Sequence, residues 1–186
     1  MTTALIHFFD RVANWKSLLL LFVLYISFPA WWLKNAEIDI NQFAGKTIGP
    51  IDLTFGFDPA RTLQMVADYG PAARAYYTRI ELTVDVVYPL VYSFLFAVIL
   101  TLLFRNRLYK PFARVTLLPF VSGLFDLLEN VAIVGLLTGY PAQSSALAVW
   151  CEVAKLGKWL SFGLIIGLIL YGFIRLAMSK IQTSSY

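Results

Sequence analysis

Residues 115–138 read VTLLPFVSGLFDLLENVAIVGLLT. A helix that crosses a bilayer needs about 20 mostly apolar residues, and this stretch supplies them. It also carries Asp126, Glu129 and Asn130 in mid-run. A charged side chain at the bilayer centre costs about 2.5–3.5 kcal/mol on insertion scales, so each acid requires a partner or a watery cavity.

The next apolar run, residues 145–174, carries Glu152, Lys155 and Lys158. Only a short uncharged turn around Gly139, Tyr140 and Pro141 separates the two runs, which therefore form an antiparallel hairpin. With its turn near Ala142, Glu129 lies level with Lys155 and Asp126 with Lys158. Residues three apart share a helix face, so the spacing predicts two stacked ion pairs, Glu129–Lys155 and Asp126–Lys158. Such pairs would offset much of the insertion cost and lock the hairpin in one register.

The rest of the chain agrees with a membrane reading. Of 186 residues, 59% are hydrophobic and 14% charged, against about 25% charged in soluble domains. The mean hydropathy is +0.71. Two more runs qualify as spans: residues 17–33, with no charge, and 82–104, with Asp85 alone. The first run ends at Phe28, Pro29, Ala30, Trp31 and Trp32. Bulky indoles do not suit a signal-peptidase site, so the run is read as a retained span with Trp31 and Trp32 at headgroup level. The expected fold is an all-α integral membrane four-helix bundle with short interfacial helices and a structured external loop over 34–81, in one domain covering 1–186.

Orientation follows from the cations beside the spans. One side carries Arg11, Lys16, Arg105, Arg107, Lys110, Arg114, Arg175 and Lys180 against the single acid Asp10. The loop on the other side has five cations and six acids. Both termini are therefore expected in the cytoplasm, and compactness points to a bacterial inner membrane. The excess of cations is explained by topology and contact with anionic membrane lipids, with no nucleic-acid partner.

A connection as long as 34–81 implies ordered structure. Asp58 and Pro59 form a helix start, with an acid at the N-cap and proline at the first helical position. Gly70 would stop that helix and Pro71 begin another, running without a breaker to Pro89 and on to Phe104. Residues 48–57 mix apolar residues with turn formers and suit a hairpin or an extended lid.

Pairing both lysines leaves Asp85 and Glu152 without cations. In the second span Thr78, Glu81, Asp85, Tyr88 and Tyr92 follow at three- and four-residue steps and fall on one face. Asn130 continues the face of Asp126 and Glu129. Asp85, Tyr88, Tyr92, Asn130, Glu129, Glu152 and Lys155 are thus candidates to line one polar pocket in the outer half of the bundle. Core packing with satisfied hydroxyls is the competing account of the tyrosines. Pro89, in the same helix, frees a carbonyl that protein or water must satisfy.

Other features point to packing. Gly163 and Gly167 form a small-xxx-small pattern, suited to close packing within the bundle or against a second copy of the chain. Cys151, the single cysteine, reads as a small membrane residue, and His7, the single histidine, lies in a short interfacial helix. No metal-ligand motif, phosphate loop or nucleophile elbow occurs, so no metal or cofactor is expected.

A four-helix core, a long first loop, acids within the membrane and Glu81-Leu82 leading toward Pro89 resemble, in topology, the emopamil-binding and sterol-isomerase superfamily. That resemblance implies an intramembrane acid/base enzyme, an isomerase acting on a lipid-soluble substrate. The stretch from Asp126 to Asn130 has no counterpart in it. The surplus acids beside aromatic residues support a different reading, binding or transport of a small amphipathic or cationic molecule. A third is a non-catalytic assembly or accessory subunit whose polar groups serve packing alone.

Overall fold

A computed structural model describes residues 2–105 and 112–183; the basic loop expected to orient the protein falls largely on 106–111, outside the described residues. All regular structure among the described residues is helical. Four helical stretches are long and apolar enough to span a membrane: Trp15–Ala44, Gly70–Phe104, Val115–Gly139 and Ser145–Met178. The chain is a multi-pass membrane protein.

Helix α1 (Thr2–Val12) lays Phe9 against Phe94 and Phe120. Asn14 then caps α2 (Trp15–Ser27), its Oδ1 accepting from the backbone N–H groups of Lys16 and Ser17. The first span does not end at the tryptophans. It passes through a π-helical turn, Phe28–Trp32, and continues as α3 (Leu33–Ala44) to Gly45. Proline at position 29 has no N–H to donate, but a wider turn, with Leu33 N–H reaching Phe28 O, lets the helix pass. Trp31 and Trp32 remain exposed on its surface.

The segment after α3 is neither hairpin nor strand. Asn41 Oδ1 accepts from Ile48 N–H and Gly49 N–H, and a single 3-10 turn, Ile51–Leu53, follows. Tyr77 fixes that turn: its hydroxyl accepts from Ile51 N–H at 2.9 Å and donates to Asp52 Oδ1 at 2.8 Å. Helix α4 (Pro59–Asp68) starts as the sequence predicts, with Asp58 Oδ1 accepting from Arg61 N–H. Gly70, at φ +71, turns the chain into α5 (Gly70–Leu82).

One long helix through to Phe104 was expected; a break at Thr83 divides it, and α6 (Val84–Phe104) begins after it. Thr83 N–H bonds Ile80 O, and the Thr83 hydroxyl takes Arg79 O at 2.6 Å, so the break leaves that carbonyl satisfied. After a 3-10 segment (Phe112–Leu117), α7 (Leu118–Gly139) and α8 (Ser145–Thr183) form the central hairpin. Close approach there uses Gly157, where a Cβ would lie 2.7 Å from the Phe125 ring. Gly163 and Gly167, expected to pack closely, have nothing from the other described residues within 4 Å of the position a Cβ would take, so neither is a close contact between the described helices.

The bundle is tight on one side and loose on the other. α6, α7 and α8 pack on one another, whereas α2 buries none of its residues and leans chiefly on α6. Tyr25 stacks on Tyr88 at 5.7 Å between ring centres, and Phe28 meets the same tyrosine. That loose side leaves room between α2, α3 and α8.

Candidate functional site

The room is a chamber of about 650 Å³. Tyr25, Pro29 and Leu33 form its α2–α3 wall, and Trp159 and Phe162 form the wall on α8. Asp85, Tyr88 and Tyr92 project from α6, Asp126 from α7 and Lys158 from α8. Asp52 and Leu53, from the 3-10 turn, close the end nearest residues 45–58, hereafter the loop end.

Near the base, Tyr92 donates to Asp126 Oδ2 at 2.9 Å. Lys158 Nζ lies 3.2 Å from Asp126 Oδ1 and 2.5 Å from Glu129 Oε2, so one ammonium serves two acids a turn apart. All three residues are buried. The predicted Asp126–Lys158 pair forms; the predicted Glu129–Lys155 pair does not. Lys155 instead donates to Glu152 Oε1 on its own helix and to Thr54 Oγ1, each at 2.6 Å. Equal depth brings Asp126 to Lys158, whereas Lys155 is drawn to Thr54 of the loop and to Glu152 three residues before it on α8.

Glu152 belongs to that packing. Its two oxygens accept from Asp58 N–H at 3.1 Å and Thr62 Oγ1 at 2.6 Å, so a buried carboxylate caps the start of α4. Glu152 and Lys155, expected beside Asp85, are fasteners of the loop and do not line the chamber. Asn130 also acts from behind, its Nδ2 donating to the backbone carbonyl of Asp85 at 2.7 Å. Of the seven candidate ligand residues, Asp85, Tyr88 and Tyr92 line the chamber, while Glu129 and Asn130 hold residues that do.

At the loop end Asp52 and Asp85 line the chamber, and Glu81 is buried beside them without lining it, a group that residue spacing alone does not assemble. Carboxylate oxygens of Asp52, Glu81 and Asp85 lie within 4.8 Å of one another. Glu81 is 1% exposed and Asp85 6%. Neither Glu81 oxygen has a hydrogen-bond partner among the described residues. The break at Thr83 sets Glu81 and Asp85 at the joint of α5 and α6, and the Tyr77 hydroxyl holds Asp52 over them. Tyr77 precedes Glu81 by four residues and so lies on the face already read from the sequence. Nothing in the local pattern marked Asp52.

Electrostatically the chamber is lopsided. Lys158 is engaged by Asp126 and Glu129, and Lys34, the other lining cation, is exposed on α3. Among the described residues, no lysine or arginine donor reaches Asp52, Glu81 or Asp85 in the ion pairs formed. Unpaired buried acids beside tyrosine and tryptophan faces attract positive charge.

Compared with protein-family models, curated proteins and solved structures, the chain finds no match. The chemistry of the chamber therefore stands on its own residues.

Proposed function

We propose that the protein binds a small amphipathic cation within the membrane. The charged end meets Asp52, Glu81 and Asp85, and the apolar body lies along Tyr88, Tyr92, Trp159 and Phe162. The observation that carries this reading is two carboxylates, Asp52 and Asp85, lining a largely apolar chamber whose buried lysine is engaged elsewhere, with the buried Glu81 carboxylate within 4.8 Å of both. Burying like charges together is unfavourable unless a cation or protons join them. With the basic flanks on the cytoplasmic side, the acid group faces the outer half of the bilayer.

The test uses purified protein in an uncharged detergent and amphiphiles that share one tail but carry cationic, neutral or anionic heads. Only the cationic member is expected to raise the melting temperature, and Asp85→Asn is expected to abolish the rise. Equal shifts in wild type and variant would remove the site.

An intramembrane acid/base enzyme is the second reading. Glu81, buried beside Asp85 without a bonded partner, favours it, because a carboxyl in that setting exchanges protons with a lipid-soluble substrate. Turnover of a membrane lipid extract that Glu81→Gln abolishes without loss of binding would select it.

A further inference from the structure

We infer that the group to which Asp52, Glu81 and Asp85 are fitted is a protonated primary amine, so that the ligand class is an amphiphile with an –NH3+ head. The inference rests on the reading of the chamber as a cation site and adds which cation it takes.

The argument begins with Glu81. Its two oxygens are buried and accept no hydrogen bond among the described residues, whereas Asp52 keeps one from Tyr77. A buried acceptor left unbonded carries its full desolvation cost, so the complementary ligand must bring donors as well as charge. An ammonium carries three N–H donors in a tetrahedral spread. At a charge-assisted N···O distance of about 2.8 Å, three oxygens around it stand about 4.6 Å apart. One oxygen from each of the three carboxylates lies no farther than 4.8 Å from the others, so an ammonium can reach all three at once. A quaternary ammonium has the charge but no N–H, and its methyl shell keeps oxygens farther away; its usual partners are aromatic faces.

A hard divalent cation is the other ligand for three carboxylates. Mg2+ holds oxygens at about 2.0–2.1 Å and keeps several waters, and Ca2+ takes about six to eight oxygens. Here Asp52 and Asp85 stand at the end of a chamber walled by Tyr88, Trp159 and Phe162, with Glu81 buried beside them. Those walls suit the hydrocarbon attached to an amine better than a hydration shell.

The test compares dodecylamine with dodecyltrimethylammonium at neutral pH, on full-length protein in an uncharged detergent, by titration calorimetry and thermal shift. Dodecylamine is expected to bind at least about tenfold more tightly, the worth of charge-assisted hydrogen bonds. Glu81→Gln is expected to erase most of that preference. If Glu81→Gln does not fold, the two-ligand comparison on wild type decides. Equal or tighter binding of the quaternary amphiphile overturns the inference and leaves the cation-binding reading in place. Stabilisation by Ca2+ or Mg2+ alone, with displacement of dodecylamine, overturns it in favour of a metal. Binding of neither amphiphile overturns both.

Discussion

The side-chain amide of Asn130 donates to the backbone carbonyl of Asp85 at 2.7 Å, and that carbonyl is the one to which Pro89 has no N–H to offer. A proline inside a helix thus has its vacancy filled from the neighbouring helix, and the bond also fixes the backbone that carries a chamber acid. Asn130→Ala is expected to destabilise the protein by about 1–3 kcal/mol, the cost of an unsatisfied buried acceptor. In a Pro89→Ala background, where an N–H is restored, the same change should cost clearly less. Denaturant unfolding in detergent of the two single variants and the double variant measures the coupling; additive effects would contradict it.

Lys158 serves Asp126 and Glu129 together. Lys158→Ala leaves two buried acids without their cation and should cost about 3–5 kcal/mol. Combining Lys158→Met with Asp126→Asn and Glu129→Gln is expected to recover most of that loss, because no unpaired charge remains. Melting temperatures of the single and triple variants give the comparison.

The glycines of α8 divide by what they face. Gly157→Ala drives a methyl into the Phe125 ring and should cost about 1–3 kcal/mol. Gly163→Ala and Gly167→Ala meet open space within the chain and should stay within about 0.5 kcal/mol in the monomer. A large loss at either, accompanied by a change in oligomeric mass, would identify that stripe as a contact between copies.

At the surface, Lys46 stands 2.8 Å from Asp68 and holds its carboxyl below the ordinary carboxylate range, the side-chain hydrogen bond from Lys46 being the main cause. Because the value is depressed in the folded protein, the link stabilises above the unfolded carboxylate value and is lost as pH falls through the folded one. Lys46→Ala should raise the Asp68 midpoint toward its ordinary value, followed by NMR of the labelled carboxyl carbon. High salt should have the same effect on the wild type.

Much of the scaffold was legible in the sequence because hydropathy and helical period are local. The spans, the α7–α8 hairpin, the α4 cap at Asp58 and the turn at Gly70 all followed from such signals. The passage of the first helix through Pro29 to Ala44 did not, since a proline followed by two tryptophans reads equally as a membrane exit. Two of the three acids were legible too: Glu81 and Asp85 share a face with Tyr88 and Tyr92 by spacing. Asp52 was not, because a residue in an irregular segment is placed by tertiary bonds, here from Tyr77. Lys155 was misassigned for two reasons: its partner Thr54 comes within reach only when residues 45–58 fold over α8, and its partner Glu152, three residues earlier on the same helix, competes with Glu129 for it.

Asp52 reaches the chamber on the segment that forms its ceiling, while Glu81 and Asp85 are built into helices. Asp52 and Thr54 stand two residues apart on that segment, one bonded to Tyr77 and the other to Lys155. The acid that stands outside the helices is thus tied to the bundle by the same short segment that supplies Lys155 with a partner, so a single lesion at its anchor, such as Tyr77→Phe, loosens both.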